Sequence, residues 1–232
     1  MHILLTRPLE DSKEFIVKLK FLGHKVSHLP VIEVNKLKIE KINFNEYSGI
    51  IFTSVNAVRF LDTKDINKSI YCFCVGSVTE RSVLKKGFQN VFAADGNVDN
   101  LKEIILRNFN QNTGKLLYVS GEMISSNLHK KLTDQDYKID RIINYKVDHI
   151  KKFDEKFIDN LKKEIPEIIY VYSQNSAKSL LNIIKKYQLV DYWMNTNLMC
   201  IGEKTSAVLN EIKWKKIFLF NPGEEEYLLY KI

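Results

Sequence analysis

The sequence predicts an α/β protein in which parallel sheets are covered by helices on both faces. Short apolar runs alternate with amphipathic stretches along the whole chain, and this alternation is typical of parallel sheets. A length of 232 residues is enough for two domains of ordinary size. The chain also repeats itself internally, and such a repeat indicates two related halves.

The predicted elements follow one another regularly. Runs rich in β-branched and aromatic residues predict strands over 2–6, 25–34, 49–54, 69–76, 90–94, 115–120, 138–147, 167–173, 197–202 and 215–220. Stretches with apolar residues at a spacing of three to four predict helices over 10–22, 77–86, 98–109, 153–164 and 175–187.

The internal repeat consists of three blocks in the same order. Residues 75–94 align with residues 201–220 at a constant offset of 126. The segment IIFTSVNAV aligns with the region of VYSQNSA at an offset of 119. The first segment aligns with the third at an offset of 113, which places Leu4 on Leu117. The chain therefore has the order A-B-A′-B′.

Small polar residues directly after the strands take part in the repeat. They are Ser54 and Asn56, Ser77 and Thr79, Ser173 and Asn175, and Lys204 and Thr205. Ligands of parallel α/β sheets bind at these strand ends, beside helix N-termini. Ser, Thr and Asn are also preferred N-caps, which is the more ordinary interpretation of any single one. Two matching sets predict two facing rims of N–H donors, suited to carboxylates or phosphates.

Composition narrows the function classes. The net charge of +7 favours an acidic partner, but the basic residues are scattered rather than grouped in a nucleic-acid-binding stripe. Cys72, Cys74 and Cys200 have no metal-site spacing, so we expect buried thiols in a reducing cytoplasm and no metal site. No apolar run has the length of a membrane span, and the start turns polar too early for a secretory signal.

Eight short motifs, in this order and spacing, resemble the uroporphyrinogen-III synthase family over nearly the whole chain. They are ILLTRP, LPVIEV, IIFTSVNAVRF, VGSVTERSVLKKGF, LLYVSGE, IINYKV, VYSQNSAKSLL and CIGEKTSAVL.

The resemblance implies an interleaved topology for two parallel-sheet, three-layer domains. Residues 1–34 and 148–232 would form one domain and residues 37–142 the other, with 35–36 and 143–147 as the connecting strands of a two-stranded linker. The alternative is a cut at Gly114 into two sequential repeats. The extended, β-branched character of both crossings favours the interleaved order.

The resemblance also implies a reaction. The family's enzymes cyclise hydroxymethylbilane, a linear tetrapyrrole with eight carboxylates, to uroporphyrinogen III with inversion of ring D and loss of water. This implies a cofactor-free, cytoplasmic, monomeric lyase that binds neither nucleic acid nor membrane. A transient contact with hydroxymethylbilane synthase is compatible with this role. Two alternatives stay open: a non-catalytic two-domain hinge protein that binds an anionic small molecule, and a basic module that binds nucleic acid.

Main-chain N–H groups are expected to provide most of the substrate contacts. The binding loops begin at Thr6, Ser54, Ser77, Gly121, Ser173 and Gly202, and they include Asn56, Asn175 and Lys204. Thr79, Ser176 and Thr205 are the side chains most similar to the family's contact residues. Arg7 suits a bidentate contact with a propionate and equally a surface salt bridge.

Tyr145 in IINYKV matches the tyrosine that the family carries at this crossing, and it is the expected catalytic acid. A phenol is a weak acid, but it can hydrogen-bond to a hydroxyl group as that group departs. The alternative is an amphipathic residue that packs beside the linker with its hydroxyl in water.

Overall fold

The structure is a computed structural model that describes residues 1–221, 223–226 and 229. Contacts between Cα atoms divide the chain into two compact units. Unit 1 comprises Met1–Glu33 and Asp148–Ile232, and unit 2 comprises Val34–Val147. Each unit contains one sheet, and the pairings described below are parallel.

Unit 1 is built on a five-stranded sheet. Its strands are β1 His2–Leu5, β2 Lys25–His28, β9 Ile168–Val171, β10 Asn197–Ile201 and β11 Lys216–Phe220. Its helices are α1 Leu9–Phe21, α6 Glu155–Lys163, α7 Gln174–Lys186, α8 Val190–Trp193 and α9 Glu203–Ala207. The sheet order is β11-β10-β9-β1-β2, and all four neighbouring pairs are parallel.

Unit 2 is built on a six-stranded sheet. Its strands are β3 Ile32–Lys36, β4 Tyr47–Phe52, β5 Tyr71–Val75, β6 Asn90–Ala94, β7 Lys115–Gly121 and β8 Ile139–His149, of which β3 and β8 run across the boundary between the units. Its helices are α2 Val55–Phe60, α3 Ser77–Lys85, α4 Val98–Asn108 and α5 Leu128–Thr133. The order is β3-β8-β7-β4-β5-β6, with parallel pairing from β8 to β6.

Both faces of the unit 2 sheet are covered by helices, because successive strand residues point to opposite faces. On one face Ile50 and Cys72 pack with Val58 of α2 and Val83 of α3. On the other face Ile51 and its neighbours pack with helices α4 and α5. In unit 1, Ile3 and Leu5 pack with Phe15 and Leu19 of α1. The predicted α/β class with parallel sheets is confirmed.

The single strand predicted over 25–34 is wrong. It is two strands, β2 and β3, which belong to different sheets. Pro30 lies between them and has no N–H to donate to a sheet ladder. The amides on either side still bond toward β1, since Leu29 N donates to Leu5 O at 2.9 Å and Val31 N to Thr6 O at 3.0 Å. The short helices α2, α5, α8 and α9 were not predicted, because a helix of one or two turns has too few residues to show a clear apolar periodicity.

Candidate functional site

Each sheet has one reversal point, which is the position from which the chain adds successive strands in opposite directions across the sheet. In unit 1 the chain goes from β1 outward to β2, and from β9 outward to β10 on the other side, so β1 and β9 flank the reversal. In unit 2 the corresponding pair is β4 and β7. A crevice outside the carboxyl ends of such strands is where open α/β sheets bind ligands. Most of the predicted site residues lie at or just after these strand ends and after β5 and β10, whereas Tyr145 lies within β8.

Thr6 holds the unit 1 reversal point together. Its side chain is fully buried, and Oγ1 donates to Tyr170 O at 2.5 Å, which ties the end of β1 to β9. The hydroxyl of Thr6 is therefore engaged inside the unit, and any ligand contact of this residue would come from its backbone.

Ser173 is the N-cap of α7. Its Oγ accepts a hydrogen bond from Ser176 N at 3.0 Å and lies 2.9 Å from Ser176 Oγ. Ser176 is 1% exposed, whereas Asn175 is exposed at the first turn. The N-cap interpretation is confirmed here, and it is confirmed for Ser54, whose Oγ accepts from Asn56 N at 3.2 Å.

Glycine, not a hydroxyl residue, caps the helices after β5 and β10. Gly76 and Gly202 have φ of 81° and 70°, and neither end has a side-chain cap. The N-cap interpretation is therefore wrong for the hydroxyl residues of these two helices. Positive φ favours glycine, which turns the chain sharply into the helix.

The residues after these two glycines differ in exposure. Thr79 and Thr205 are 5% and 3% exposed, so both are largely interior side chains. Ser77 and Lys204 are exposed, and Lys204 O accepts from Gln174 Nε2 at 3.2 Å, which links the starts of α7 and α9.

Arg7 lies directly after β1 at the reversal point of unit 1. Its guanidinium carbon lies 4.1 Å from the centroid of the Tyr172 ring, and Nη1 lies 3.8 Å from Glu225 Oε1. Its Nε is buried and has no hydrogen-bond partner in the described part of the chain. The salt-bridge interpretation is thus observed, while a contact with a ligand carboxylate stays a prediction.

Tyr145 lies on β8 beside the end of β7, at the reversal point of unit 2. Its side chain is 8% exposed, and its ring centroid lies 6.3 Å from that of Phe60. The ring lies directly over Gly121, because a Cβ built there would come within 2.6 Å of Tyr145 Cζ and 2.9 Å of its hydroxyl oxygen. Gly121 is needed here for this close approach, and Tyr145 is packed rather than freely solvated.

A bulge in β8 decides which way Tyr145 points. Ser120 pairs with Ile143 and Gly121 pairs with Tyr145, so Asn144 is the extra residue. Ile142 and Tyr145 consequently join the same core cluster, although strict alternation would place them on opposite faces. The bulge is stabilised by Asn144, whose Nδ2 donates to Ala57 O at 2.8 Å.

Arg141 is a site residue that the sequence analysis missed. Its Nε donates to Ser120 Oγ at 2.8 Å, and its Nη2 donates to Gly121 O at 2.8 Å and to Glu122 O at 3.1 Å. The guanidinium therefore holds the loop that packs under Tyr145. No local pattern marks Arg141, because its partners lie about twenty residues away in the sequence.

Polar contacts also join β4 to β7. Thr53 Oγ1 lies 3.0 Å from the hydroxyl of Tyr118, and burial raises the pKa of that phenol. Asn56 Oδ1, one helical turn further on, is buried without a hydrogen-bond partner in the described residues. The side-chain carbonyl oxygen of Asn56 thus lacks a hydrogen-bond donor at the end of β4 among these residues.

Two further properties concern the described residues only. They contain no group of three or more His, Cys, Asp and Glu side chains placed to hold a metal ion. None of their helices combines the length and the apolarity that a bilayer crossing requires.

Comparisons with known proteins agree with this geometry. A family model described as uroporphyrinogen-III synthase HemD matches residues 13–219. The porphyrin biosynthesis protein HemD of Ruminiclostridium josui is 25% identical over 88% of this chain, which spans only 42% of that protein's length. An uncharacterized protein of Rickettsia prowazekii (strain Madrid E) is 22% identical over 99% of this chain and 97% of its own length.

Two solved structures share the fold. The uroporphyrinogen-III synthetase of Helicobacter pylori 26695 superimposes with a TM-score of 0.64 at 19% identity, covering 100% of this chain and 99% of the other. A mutant uroporphyrinogen III synthase of Thermus thermophilus gives a TM-score of 0.57 at 15% identity, covering 100% and 98%. The family model covers most of the sequence, including the ends of β4, β5, β7, β9 and β10, whereas Thr6 and Arg7 precede its first matched residue. The chain therefore belongs to the uroporphyrinogen-III synthase HemD family, whose activity is part of tetrapyrrole biosynthesis.

Proposed function

We propose that this chain is a lyase that cyclises hydroxymethylbilane to uroporphyrinogen III, with inversion of ring D and release of one water molecule. The observation that carries the proposal is the family match over residues 13–219, which includes the Gly121–Tyr145 contact and the starts of α2, α3, α7 and α9. The proposal extends to a monomeric, cytoplasmic enzyme with interleaved domains, connected through residues 35–36 and 143–147.

The substrate carries eight carboxylates, and the strand-end edge of each unit supplies groups suited to binding a subset of them. The first N–H groups of a helix have no partner within the helix, and the helix dipole adds partial positive charge to them. Helices α3 and α7 begin at Ser77 and Gln174, where such groups are available. The net charge of +7 adds long-range attraction for a polyanion.

Tyr145 is the proposed proton donor for the first chemical step. Its phenol protonates the terminal hydroxyl of the substrate, the carbon–oxygen bond breaks, and water departs. The pyrrole N–H of the same ring returns a proton to the phenolate, which restores the phenol and leaves a neutral, electrophilic azafulvene. Ring D then attacks through its substituted carbon, and the resulting spiro intermediate fragments and recloses with that ring inverted. The packing of Tyr145 on Gly121 and Phe60 fixes the direction of its hydroxyl, which is the requirement for a directed proton transfer.

Control of substrate shape contributes more than acid catalysis in this scheme. Without an enzyme the same substrate closes to the non-inverted isomer, so the protein has to favour one geometry of the reacting carbons. Holding reacting groups in place can lower an activation barrier by up to roughly 7–11 kcal/mol. A general acid accelerates a reaction by about 10²- to 10⁴-fold, which is the smaller effect. We therefore expect the strand-end residues as a set to matter more than Tyr145 alone.

A coupled assay tests the proposal. Porphobilinogen and hydroxymethylbilane synthase supply the substrate, and the type I and type III products are separated after oxidation to porphyrins. The wild-type chain is expected to give mainly type III, and Tyr145→Phe is expected to lower kcat about tenfold or more with little change in melting temperature. Type I product alone, at the uncatalysed rate, would refute the proposed function and leave a non-catalytic anion-binding protein.

The variant separates the role of Tyr145 from the function as a whole. Tyr145→Phe keeps the ring that packs on Gly121 and removes only the hydroxyl. Type III activity within twofold of wild type in this variant would remove Tyr145 from the mechanism and leave the cyclisation to positioning.

A further inference from the structure

Arg7 is fixed at the reversal point of unit 1 by contacts on both its backbone and its side chain. His28 Nε2 donates to Arg7 O at 2.8 Å, and Ser12 Oγ donates to the same oxygen at 3.3 Å. The guanidinium lies over the ring of Tyr172, 4.1 Å from its centroid. Tyr172 directly follows β9, the strand next to β1. The cation is therefore held between the two strand ends where a ligand would bind.

The polar groups of this pair are only partly used. A guanidinium offers five N–H donors, yet Arg7 Nε is buried without a hydrogen-bond partner among the described residues. The hydroxyl of Tyr172 is likewise buried and unpartnered within that part of the chain. Burial raises the pKa of Tyr172, so the phenol keeps its proton and remains a donor. A buried donor without an acceptor is unfavourable, so this arrangement favours an added acceptor.

The carboxylate of Glu225 already lies close to these donors. Glu225 lies in the segment after β11, and its Oε1 is 3.8 Å from Arg7 Nη1. This separation is an ion pair but is too long for a hydrogen bond. The fold brings Glu225 there through its backbone, because the hydroxyl of Tyr170 donates to Glu225 O at 2.8 Å. Glu226 beside it pairs with Lys18 of α1.

We propose that Arg7 and Tyr172 form a carboxylate-binding subsite for which the side chain of Glu225 competes when no ligand is bound. A ligand carboxylate takes the place of Glu225 on the guanidinium and accepts hydrogen bonds from Arg7 Nε and the Tyr172 hydroxyl. The ligand class is an aliphatic or aromatic polycarboxylate. Its identification as a tetrapyrrole side chain rests on the proposed function, whereas the subsite itself rests on the geometry of unit 1.

The effect of Glu225 on carboxylate binding should be measurable. The side chains of Arg7 and Glu225 are 22% and 17% exposed, so their attraction is that of a partly screened pair. Removing such a competing charge is expected to tighten carboxylate binding about two- to fivefold. Neutralising Arg7 removes the subsite, and the benefit of removing Glu225 disappears with it.

The neighbouring residue Glu224 provides a matched control. It differs from Glu225 by one position and has the same charge, but its Oε2 accepts from Asn221 Nδ2 at 2.9 Å rather than approaching Arg7. Glu224→Gln therefore changes the net charge by the same amount as Glu225→Gln. Any difference between the two variants reports the local contact with Arg7 and not the long-range field.

The test is a calorimetric titration of the full chain with mellitate, a benzene hexacarboxylate, at low ionic strength. Glu225→Gln is expected to lower the Kd about two- to fivefold further than Glu224→Gln does. Arg7→Met is expected to raise the Kd about tenfold and to abolish the difference between the two glutamate variants. Thermal melting of each variant shows that it is folded before titration.

The outcomes separate this inference from the proposed function, because binding of mellitate requires no turnover. Equal dissociation constants for Glu225→Gln and Glu224→Gln would overturn the subsite, even in a chain that produces type III product. A selective gain in Glu225→Gln that depends on Arg7 would support it, even in a chain without type III activity.

Discussion

Replacing Gly121 with alanine probes the contact that orients Tyr145. The added methyl carbon would lie 2.6 Å from Tyr145 Cζ, 2.8 Å from Cε2 and 2.9 Å from the hydroxyl oxygen. Carbon atoms in favourable contact are about 3.5–4.0 Å apart, so the ring has to withdraw by roughly 1 Å. Tyr145 is 8% exposed and packs near Phe60, which leaves little room for that movement.

The expected loss of stability follows from two opposing effects. Overpacking a filled interior position costs about 1–3 kcal/mol. Gly121 is not in the left-handed region, so alanine also restricts the unfolded chain, which stabilises the fold by about 0.4–1 kcal/mol. At the midpoints of these two ranges the net destabilisation is about 1.3 kcal/mol, and at about 2–4 °C per kcal/mol for a chain of this size the melting temperature should fall by about 3–5 °C.

A double-mutant cycle with Tyr145→Ala isolates the contact. Tyr145→Ala removes the ring that the new methyl group meets, so Gly121→Ala should cost less than about 0.5 kcal/mol in that background. Melting followed by circular dichroism measures stability, and the coupled assay measures the fraction of type III product. In the Gly121→Ala single variant that fraction should fall, since the phenol is displaced. An equal loss of melting temperature in both backgrounds would show that Tyr145 does not contact this position.

Three other expectations concern the supports of the site and the interior. Arg141→Ala should lower kcat and the type III fraction in the coupled assay. Arg141→Lys should restore little, because an ammonium group does not reproduce the guanidinium geometry that binds three acceptors. Full activity of the alanine variant would contradict this. Ser173→Ala should destabilise the fold by about 1 kcal/mol in thermal melting, whereas Ser173→Asp should keep the cap; equal melting of the two variants would argue against the cap. Burial raises the pKa of Cys72, Cys74 and Cys200 to about 12, so a disulfide reagent at about pH 8 should modify these thiols only in denaturant, and rapid reaction of the native protein would be inconsistent with their burial.

Local chemistry made several features predictable. The alternation of apolar runs and amphipathic stretches follows from the two side-chain periods, and it predicted the parallel α/β class. Ser54 and Ser173 were identifiable as N-caps, because a cap needs only a short side chain and the amides two or three residues ahead. In the aligned blocks 75–94 and 201–220, Gly76 falls on Gly202, and positive φ accounts for the glycine at both positions.

Other features could not be predicted, because they depend on residues that are distant in the sequence. The strand predicted over 25–34 divides at Pro30, since apolar periodicity does not show which sheet each half joins. The substrate contacts of the strand-end residues and the acid role of Tyr145 remain predictions. Thr79, Ser176 and Thr205 are mostly buried, so their part in binding would depend on the few atoms that reach the surface.

The amino-acid sequence alone predicted the class of fold and the family, which are confirmed, and the strand ends expected to bind a ligand, which stay a prediction. Only the tertiary structure decided how the site is held. The bulge at Asn144 turns Tyr145 to the other face of its sheet, and Arg141 secures the loop beneath it. Glu225 reaches Arg7 across more than two hundred residues of chain. Periodicity and capping act within a few residues, whereas these contacts form only when distant segments are packed together.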